Sequence, residues 1–204
     1  MLTANRKTEL PFADVQELLQ QELQEHRDAF EATSRMLSES FRASLQLLEQ
    51  SIRAGGKVLL FGNGGSAADA QHIAAELVIR YKSDRAAIGA IALHTDSSAL
   101  TACGNDLGFD AIFERQIEAL GRPNDVALGI STSGNSPNVL RGLRQAKGIG
   151  MPTLGLTGGA GGQMRPLCDA LIVVPTAVTA RIQEMHILVG HMLCKALEQR
   201  LGLV

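Results

Sequence analysis

The chain has 204 residues, of which 45% are apolar and 20% charged, and its net charge is −2. This composition predicts one globular domain with a helical extension and excludes global disorder. The small negative charge and the 3% aromatic content argue against a nucleic-acid ligand, since phosphate backbones attract basic surfaces. We expect a reduced cytoplasmic protein, because no apolar run is long enough for a bilayer, the first residues lack a leader-like apolar run, and Cys103, Cys168 and Cys194 form no paired framework.

The first quarter of the chain is predicted to be helical. Residues 1–13 are polar and are expected to be loose, whereas 14–54 lacks Gly and Pro and repeats apolar residues at helical spacing. Asp14 is a candidate helix cap, and a soft point near Thr33–Ser34 predicts two helices rather than one. We therefore expect residues 1–45 to form an N-terminal extension and helical arm, and residues 46–204 to form the main domain.

Beyond Gly56, short apolar runs alternate with helical segments. The predicted strands are Lys57–Phe61, Ile88–Leu93, Val126–Ile130, Thr153–Leu156 and Leu171–Val174. The predicted helices are 66–80, 97–103, 108–120, 137–147, 161–167 and 179–201. Alternation of this kind indicates an α/β fold in which a parallel sheet is covered by helices on both faces, a three-layer sandwich. The uninterrupted apolar runs are typical of strands buried on both sides.

Two polar loops follow the first and third predicted strands. Gly62–Ser66 is a glycine-rich turn that opens a helix, and its free backbone N–H groups would suit an anion. Ser131–Ser136 carries four hydroxyls before a helix that begins near Pro137, and hydroxyls with N–H groups bind phosphate without Lys or Arg. Each loop alone is also ordinary turn chemistry. Because ligands bind at the carboxyl ends of parallel strands, the two loops together predict a sugar-phosphate site.

Titratable residues near these loops leave alternatives open. His72 and Glu76 lie at i and i+4 on one helix face, where they could bind zinc, share acid–base chemistry or form an ordinary surface pair. The last predicted helix carries Gln183, His186 and His191, and its spacing does not choose between the two histidines as a partner of Gln183. Asp96 and the Gly104–Asp106 segment are predicted to lie in loops, where they would bind sugar hydroxyls or cap a turn.

In combination, these motifs resemble the phosphoheptose isomerases of the sugar isomerase (SIS) domain family. The resemblance runs over roughly residues 36–200 and rests on Gly62–Ser66 with Asp69, His72 and Glu76, on Gly104–Asp106, on Gly129–Ser136, and on Arg181–His186 with His191. It implies a five-stranded parallel sheet, N-terminal helices that help build a homotetramer, and an active site at a subunit interface. It also implies aldose–ketose isomerisation of sedoheptulose 7-phosphate in the supply of heptose for lipopolysaccharide.

The resemblance also assigns roles to individual residues. It implies one zinc ion per subunit, held by His72, Glu76, Gln183 and His191, and so favours His191 over His186. Glu76 and His191 would be the catalytic acid–base pair. The implied substrate contacts are Asn63, Gly64, Gly65, Ser66, Glu76, Asn105, Asp106, Ser131, Thr132, Ser133, Ser136 and Gln183. Some family members carry Asp where this chain has Ala180, and a role for that aspartate does not transfer.

Three other functions are compatible with parts of the pattern. One is a non-catalytic SIS-domain regulator that binds a replication initiator, but the relative of that kind lacks the residues that match Glu76 and His191. Another is an isomerase for a hexose or pentose phosphate with the same catalytic set. A sugar-phosphate-sensing DNA-binding protein would need a further domain, for which residues 1–56 are too short and too weakly basic.

Overall fold

The computed structural model describes residues 12–204 and places a single five-stranded sheet at the centre of the molecule. The α-helices are α1 (Phe12–Arg53), α2 (Gly65–Val78), α3 (Ser97–Asp106), α4 (Ile112–Leu120), α5 (Pro137–Gly148) and α6 (Thr179–Arg200). The strands are β1 (Val58–Gly62), β2 (Ala90–Ala92), β3 (Val126–Ser131), β4 (Thr153–Gly158) and β5 (Ala170–Val174). Two 3₁₀ segments, Phe109–Ala111 and Gly162–Leu167, complete the elements.

All strands of the sheet are parallel, in the order β2-β1-β3-β4-β5. The chain moves outward from β1 to β2 and then returns across β1 to β3, so the direction of winding reverses between β1 and β3. Such a reversal opens a crevice at the carboxyl ends of the two strands. Gly62 pairs with Ile130 in this register, which brings the two predicted polar loops side by side.

Each face of the sheet has its own apolar core. Alternate β1 residues divide between them: Leu60 faces α2, α6 and the end of α1, whereas Phe61 faces α4 and α5. The strands β1, β3 and β4 are buried throughout, as expected for strands covered on both sides. The predicted three-layer α/β fold is confirmed.

The N-terminal helix corrects one prediction. α1 is continuous from Phe12 to Arg53, so the expected division near Thr33–Ser34 is wrong. Thr33 donates its hydroxyl to the Ala29 carbonyl, and Ser34 donates to Glu31, which satisfies both hydroxyls inside the helix. Ala29 also packs in a small core with β5 and α6. Tertiary contact thus outweighs the weak helix propensity of this pair.

Helix ends account for the other differences. The helix begins at Phe12, so Asp14 lies in its first turn and is not its cap, and the predicted loose segment lies outside the described residues except for its last two. α3 extends to Asp106, so the expected loop at 104–106 is wrong. Asp96 caps α3 by accepting from the Ala99 N–H, 2.9 Å away. α6 begins at Thr179, as predicted, and Val178 precedes its first turn. Within residues 12–204, no helix is both long and apolar enough to cross a bilayer.

Candidate functional site

The loop between β1 and α2 presents unshared backbone N–H groups. Gly64 stands before the helix with a positive φ of 57°, and no side chain caps the first turn. The Ser66 and Ala67 N–H groups donate to the Asn63 and Gly64 carbonyls, so the Gly64 and Gly65 N–H groups and the positive end of the helix dipole are what this loop offers to a phosphate. Ser66 is buried against Gly62, so its side chain supports the turn from within the fold.

The side chain of Gln183 lies against the backbone of Gly65. A Cβ atom at residue 65 would overlap the amide nitrogen of Gln183, so only glycine leaves room for this contact. Gln183 is in the first turns of α6, and its approach joins α6 to the opening of α2. The contact brings Gln183, one of the predicted site residues, directly onto the loop between β1 and α2, here called the anion loop or first cradle.

The loop between β3 and α5 concentrates hydroxyl groups. Ser131 Oγ lies 2.9 Å from Ser136 Oγ and 3.5 Å from Ser133 Oγ. Ser133 Oγ also accepts the Asn135 N–H, 3.1 Å away, and α5 begins without a side-chain cap. Pro137 has no N–H and the Val139 N–H donates to Asn138 Oδ1, so hydroxyls rather than first-turn amides form this second polar cradle, which has no basic side chain. The loop that follows β4 supports this cradle, since Gly134 packs tightly on the Gly161 carbonyl.

A pair of amides connects the two loops. Asn63 Nδ2 donates to Asn138 Oδ1 at 2.9 Å, and Asn138 Nδ2 donates back to Asn63 Oδ1 at 2.8 Å. Asn138 is buried in the first turn of α5. The reciprocal bonds fix the spacing of the two cradles, and they occupy the side chain of Asn63, which was predicted to contact substrate.

Helices α2 and α6 bring three potential metal ligands together, here called the His–Glu–His cluster: His72, Glu76 and His191. The Nε2 atoms of the two histidines are 2.9 Å apart, and His72 Nε2 lies 3.4 Å from Glu76 Oε1. One ligand atom from each residue falls within 4.8 Å of the others. The structure therefore places the predicted His72–Glu76 pair opposite His191.

The donor set of the cluster fits a divalent metal ion. Two imidazole nitrogens and a carboxylate are ligands that zinc prefers, and convergent groups of this kind leave room for a further ligand. Glu76 Oε2 is buried and has no hydrogen-bond partner among the described residues. A buried carboxylate oxygen without a partner is costly unless a cation or a proton donor approaches it.

The other predicted histidine of α6 has a different role. His186 is fully buried, its Nε2 lies 3.1 Å from the Thr157 carbonyl, and burial lowers its pKa to about 4. It is thus a neutral core residue that joins α6 to β4. Helix rotation separates it from His191, because residues five apart on an α-helix point in different directions.

Asn105 and Asp106 lie elsewhere on the chain. Both are exposed in the last turn of α3, where the Asn105 amide donates to Asp106 Oδ1 at 2.7 Å. Within residues 12–204, neither side chain hydrogen-bonds to the two cradles. Their predicted contact with substrate stays a prediction.

Two residues near the site, His94 and Tyr81, escaped the sequence analysis, and Asp69 was named there only as part of the family motif. Burial raises the pKa of Asp69 to about 6, one turn before His72, and His72 opposes this shift. His94 supports the first cradle from the turn after β2, with Nε2 3.0 Å from the Gly62 nitrogen and 2.9 Å from its oxygen. Tyr81 packs its ring on His191, with centroids 5.3 Å apart. Only Asp69 left a signal in the sequence, through its helical spacing to His72.

Comparison with known proteins is consistent with this geometry. Residues 12–158 match the model of the SIS domain family. The phosphoheptose isomerase of Paramagnetospirillum magneticum is 56% identical over 180 residues, which cover 88% of this chain and 94% of that protein. The phosphoheptose isomerase of Helicobacter pylori strain P12 is 50% identical over 91% of this chain and 96% of its own length. The structure of the Neisseria gonorrhoeae phosphoheptose isomerase superposes with a TM-score of 0.86 at 43% identity and covers 91% of this chain and 99% of that one.

Proposed function

Because the chain belongs to the phosphoheptose isomerase family of SIS-domain proteins, we propose that it interconverts sedoheptulose 7-phosphate and D-glycero-D-manno-heptose 7-phosphate. The observation that carries this proposal is the His–Glu–His cluster, which lies on α2 and α6, the same two helices that meet at the anion loop. A ketose–aldose isomerase needs both a phosphate anchor and an acid–base pair. The product supplies heptose for lipopolysaccharide in the cytoplasm.

The phosphate binds at the two cradles. Hydroxyls of the β3–α5 loop and the N–H groups of Gly64 and Gly65 at the start of α2 donate to the phosphate oxygens. His72 lies seven residues beyond Gly65, about 10 Å along α2 at 1.5 Å per residue. An open-chain seven-carbon sugar phosphate bridges this interval, so that its carbonyl end reaches the cluster while its phosphate stays at the loops.

Glu76 is the base of the proposed mechanism. In the ketose-to-aldose direction it removes a proton from C1 and returns it to C2, since a carboxylate can exchange a proton between adjacent carbons. His191 donates a proton to the oxygen on C2 and accepts the proton of the oxygen on C1. Atoms and charges balance, because each group ends the cycle in the state in which it began.

The proposed metal is zinc, one per subunit, held by His72, Glu76 and His191. Gln183, whose amide lies at Gly65 about two turns of α2 from His72, would join them as the fourth ligand by reorienting its side chain. When bound, zinc would supply Lewis-acid stabilisation of the negative charge that develops on the sugar oxygens. The two oxygens of Glu76 have different surroundings: Oε1 faces His72, whereas Oε2 is unpartnered among the described residues. This division allows one oxygen to serve the metal site and the other to move a proton.

The active form is proposed to be a homotetramer. Up to Met36, α1 exposes an apolar stripe formed by Val15, Leu18, Leu19, Leu23, Phe30 and Met36. Large apolar patches on a helix favour contact with another protein surface.

Turnover of sedoheptulose 7-phosphate, coupled to a heptose 7-phosphate kinase, tests the function. Wild type supplied with zinc should be active, and Glu76→Gln and His191→Ala should lose about 10²- to 10⁴-fold in kcat, the range for general acid–base groups. His26→Gln is the matched control, because His26 is an exposed histidine on α1 outside the cluster.

The outcomes separate the alternatives. One outcome is a zinc-supplied wild type that is inactive on sedoheptulose 7-phosphate but active on a hexose or pentose phosphate. That result would contradict the proposed substrate and leave the proposed isomerase chemistry in place. Inactivity on every sugar phosphate would point to the non-catalytic regulator. Near-normal kcat in Glu76→Gln would show that another group is the base.

A further inference from the structure

A buried ion pair joins the two helices of the His–Glu–His cluster at a point away from the substrate. Arg85, in the segment after α2, and Glu198, on α6, have side chains that are 0% and 3% exposed, and Arg85 Nε lies 2.8 Å from Glu198 Oε1. Removing two charges from water is unfavourable unless hydrogen bonds satisfy both groups. The partners of this pair therefore indicate what it holds in place.

Arg85 caps the C-terminus of α2. Its Nη2 donates to the Glu76 carbonyl at 2.7 Å, and its Nη1 donates to the Leu77 carbonyl at 2.8 Å. Carbonyls in the last turn lack partners inside the helix and carry the negative end of its dipole, so a guanidinium is a favourable cap. The same side chain thus fixes the backbone of the proposed catalytic base.

Glu198 fixes the segment that leaves α2. Its Oε1 also accepts the Tyr81 N–H, 3.1 Å away. The Tyr81 ring lies against the His191 imidazole, with centroids 5.3 Å apart and planes inclined by 31°. His191 and Glu198 are seven residues apart, about two turns, and therefore share one face of α6. The Glu198 carboxylate thus connects α6 to Tyr81, whose ring packs on His191 of the same helix.

We propose that Arg85, Glu198 and Tyr81 form a positioning clamp that sets the placement of His191 relative to Glu76. None of the three is proposed to touch the substrate, so they are positioning residues rather than catalytic ones. The clamp holds the backbone of α2 at Glu76 and the ring plane of His191 at the same time. The inference rests on the proposed roles of the cluster in metal binding and proton transfer.

Co²⁺ titrated into the metal-free, full-length protein and followed by its visible absorption is the primary test. Tyr81→Phe keeps the ring and should match wild type. Tyr81→Ala removes the ring from His191 and should weaken Co²⁺ binding by about 10- to 100-fold, the range for groups that orient metal ligands. Its kcat should fall similarly while KM for sedoheptulose 7-phosphate stays constant, because the phosphate cradles are untouched.

Arg85→Lys tests the ion pair itself, since lysine keeps the charge but lacks the forked donors. We expect the same loss of Co²⁺ affinity and kcat. Glu49→Gln is the matched control: Glu49 pairs with Arg53 and Arg200 where α1 meets the end of α6, without contact to α2. It should lower the melting temperature but leave the cobalt spectrum unchanged. Tyr81 is only partly buried, so its variants keep the test valid if Arg85→Lys does not fold.

Wild-type cobalt spectra and kcat in Tyr81→Ala, or an equal loss in Tyr81→Phe, would overturn the clamp. A loss of melting temperature alone in Arg85→Lys would also overturn it, since that outcome describes a merely structural ion pair. The variant His72→Ala distinguishes a failure of the clamp from a failure of the proposed metal site. If that variant binds Co²⁺ as wild type does, the metal site is wrong, and the kcat of Tyr81→Ala alone then decides the clamp.

Discussion

At the scale of single residues, the site depends on small and neutral groups as much as on charged ones. Gly65 leaves space for the Gln183 amide, and the neutral His186 joins α6 to β4 from inside the core. Neither residue is charged or proposed to react, yet each fixes the position of a helix that bears residues of the cluster. Their contributions to activity and to stability can be measured separately.

Gly65→Ala should impair catalysis more than folding. The new Cβ displaces the end of a flexible Gln183 side chain, which relaxes at little cost, but the amide then leaves its place at the anion loop. We expect at least a tenfold loss in kcat/KM, equal to about 1.4 kcal/mol of transition-state stabilisation. Gly148→Ala is the control, since a Cβ there meets open space. Equal activities of the two variants would contradict the role assigned to Gly65.

His186 should make stability fall in mild acid. Burial lowers its pKa from 6.5 to about 4, so between these pH values the histidine is protonated in the unfolded chain but neutral in the folded chain. The stability linked to neutral His186 is fully present above pH 6.5 and is lost as pH falls from there toward 4. The unfolding free energy changes through this linkage by at most about 1.4 kcal/mol per pH unit.

Denaturant unfolding of wild type and His186→Gln between pH 4 and 7.5 measures this linkage. The difference between their unfolding free energies should narrow as pH falls, because glutamine does not titrate. A difference that stays constant across this range would show that His186 is not a source of the acid sensitivity.

At the scale of elements, the close packing of α2 against α6 assembles the cluster. Gly190 lies next to His191, and a Cβ there would approach Ile73 Cδ1 to 2.6 Å. Glycine at this crossing lets the two helices come near enough for His72 and His191 to meet. The distance between the helices, and not only the identity of the ligands, is therefore a determinant of the site.

Gly190→Ala should separate these helices. Overpacking of this kind costs about 1–3 kcal/mol of unfolding free energy, and kcat should fall with it. Adding Ile73→Val, which removes Cδ1, should restore part of both quantities. Thermal unfolding and kcat of the two single variants and the double variant form the measurement. Additive losses, with no recovery in the double variant, would show that the contact is not the cause.

At the scale of the whole molecule, α1 packs on the domain with one face and exposes an apolar stripe on the other. Its inner face is fixed to α6, where buried Arg181 donates to the Glu22 carbonyl and carboxylate. Its outer face carries the exposed apolar stripe, with Leu19 57% and Leu23 56% exposed. A helix bound on one side and apolar on the other is well suited to self-association.

Leu19→Glu combined with Leu23→Glu should dissociate the assembly. Two buried charges in an apolar interface are strongly unfavourable, so the mass measured by light scattering should drop to that of a smaller species. Gln20→Glu combined with Gln21→Glu adds the same two charges at exposed polar positions and should keep the wild-type mass. A wild type with the mass of a single chain would contradict the proposed tetramer.

The sequence by itself determined the α/β class, the five parallel strands, the two polar loops and the family. These features follow from hydrophobic periodicity and turn chemistry, which act within one element or between neighbours along the chain. The same applies to His72 and Glu76, whose i,i+4 spacing places them on one face as soon as a helix forms. The single long α1 was missed, because the contact of Ala29 with α6 lies outside that local range.

Local spacing left open which histidine of α6 meets His72; the family resemblance implied His191, and only the tertiary structure shows why. Periodicity does not show that His186 points to Thr157 and His191 to α2, since that depends on how α6 packs against two other elements. The Asn63–Asn138 pair and the Arg85–Glu198 pair likewise join residues 75 and 113 positions apart. Contacts of this kind arise from the packing of whole elements, and no local pattern in the chain encodes them.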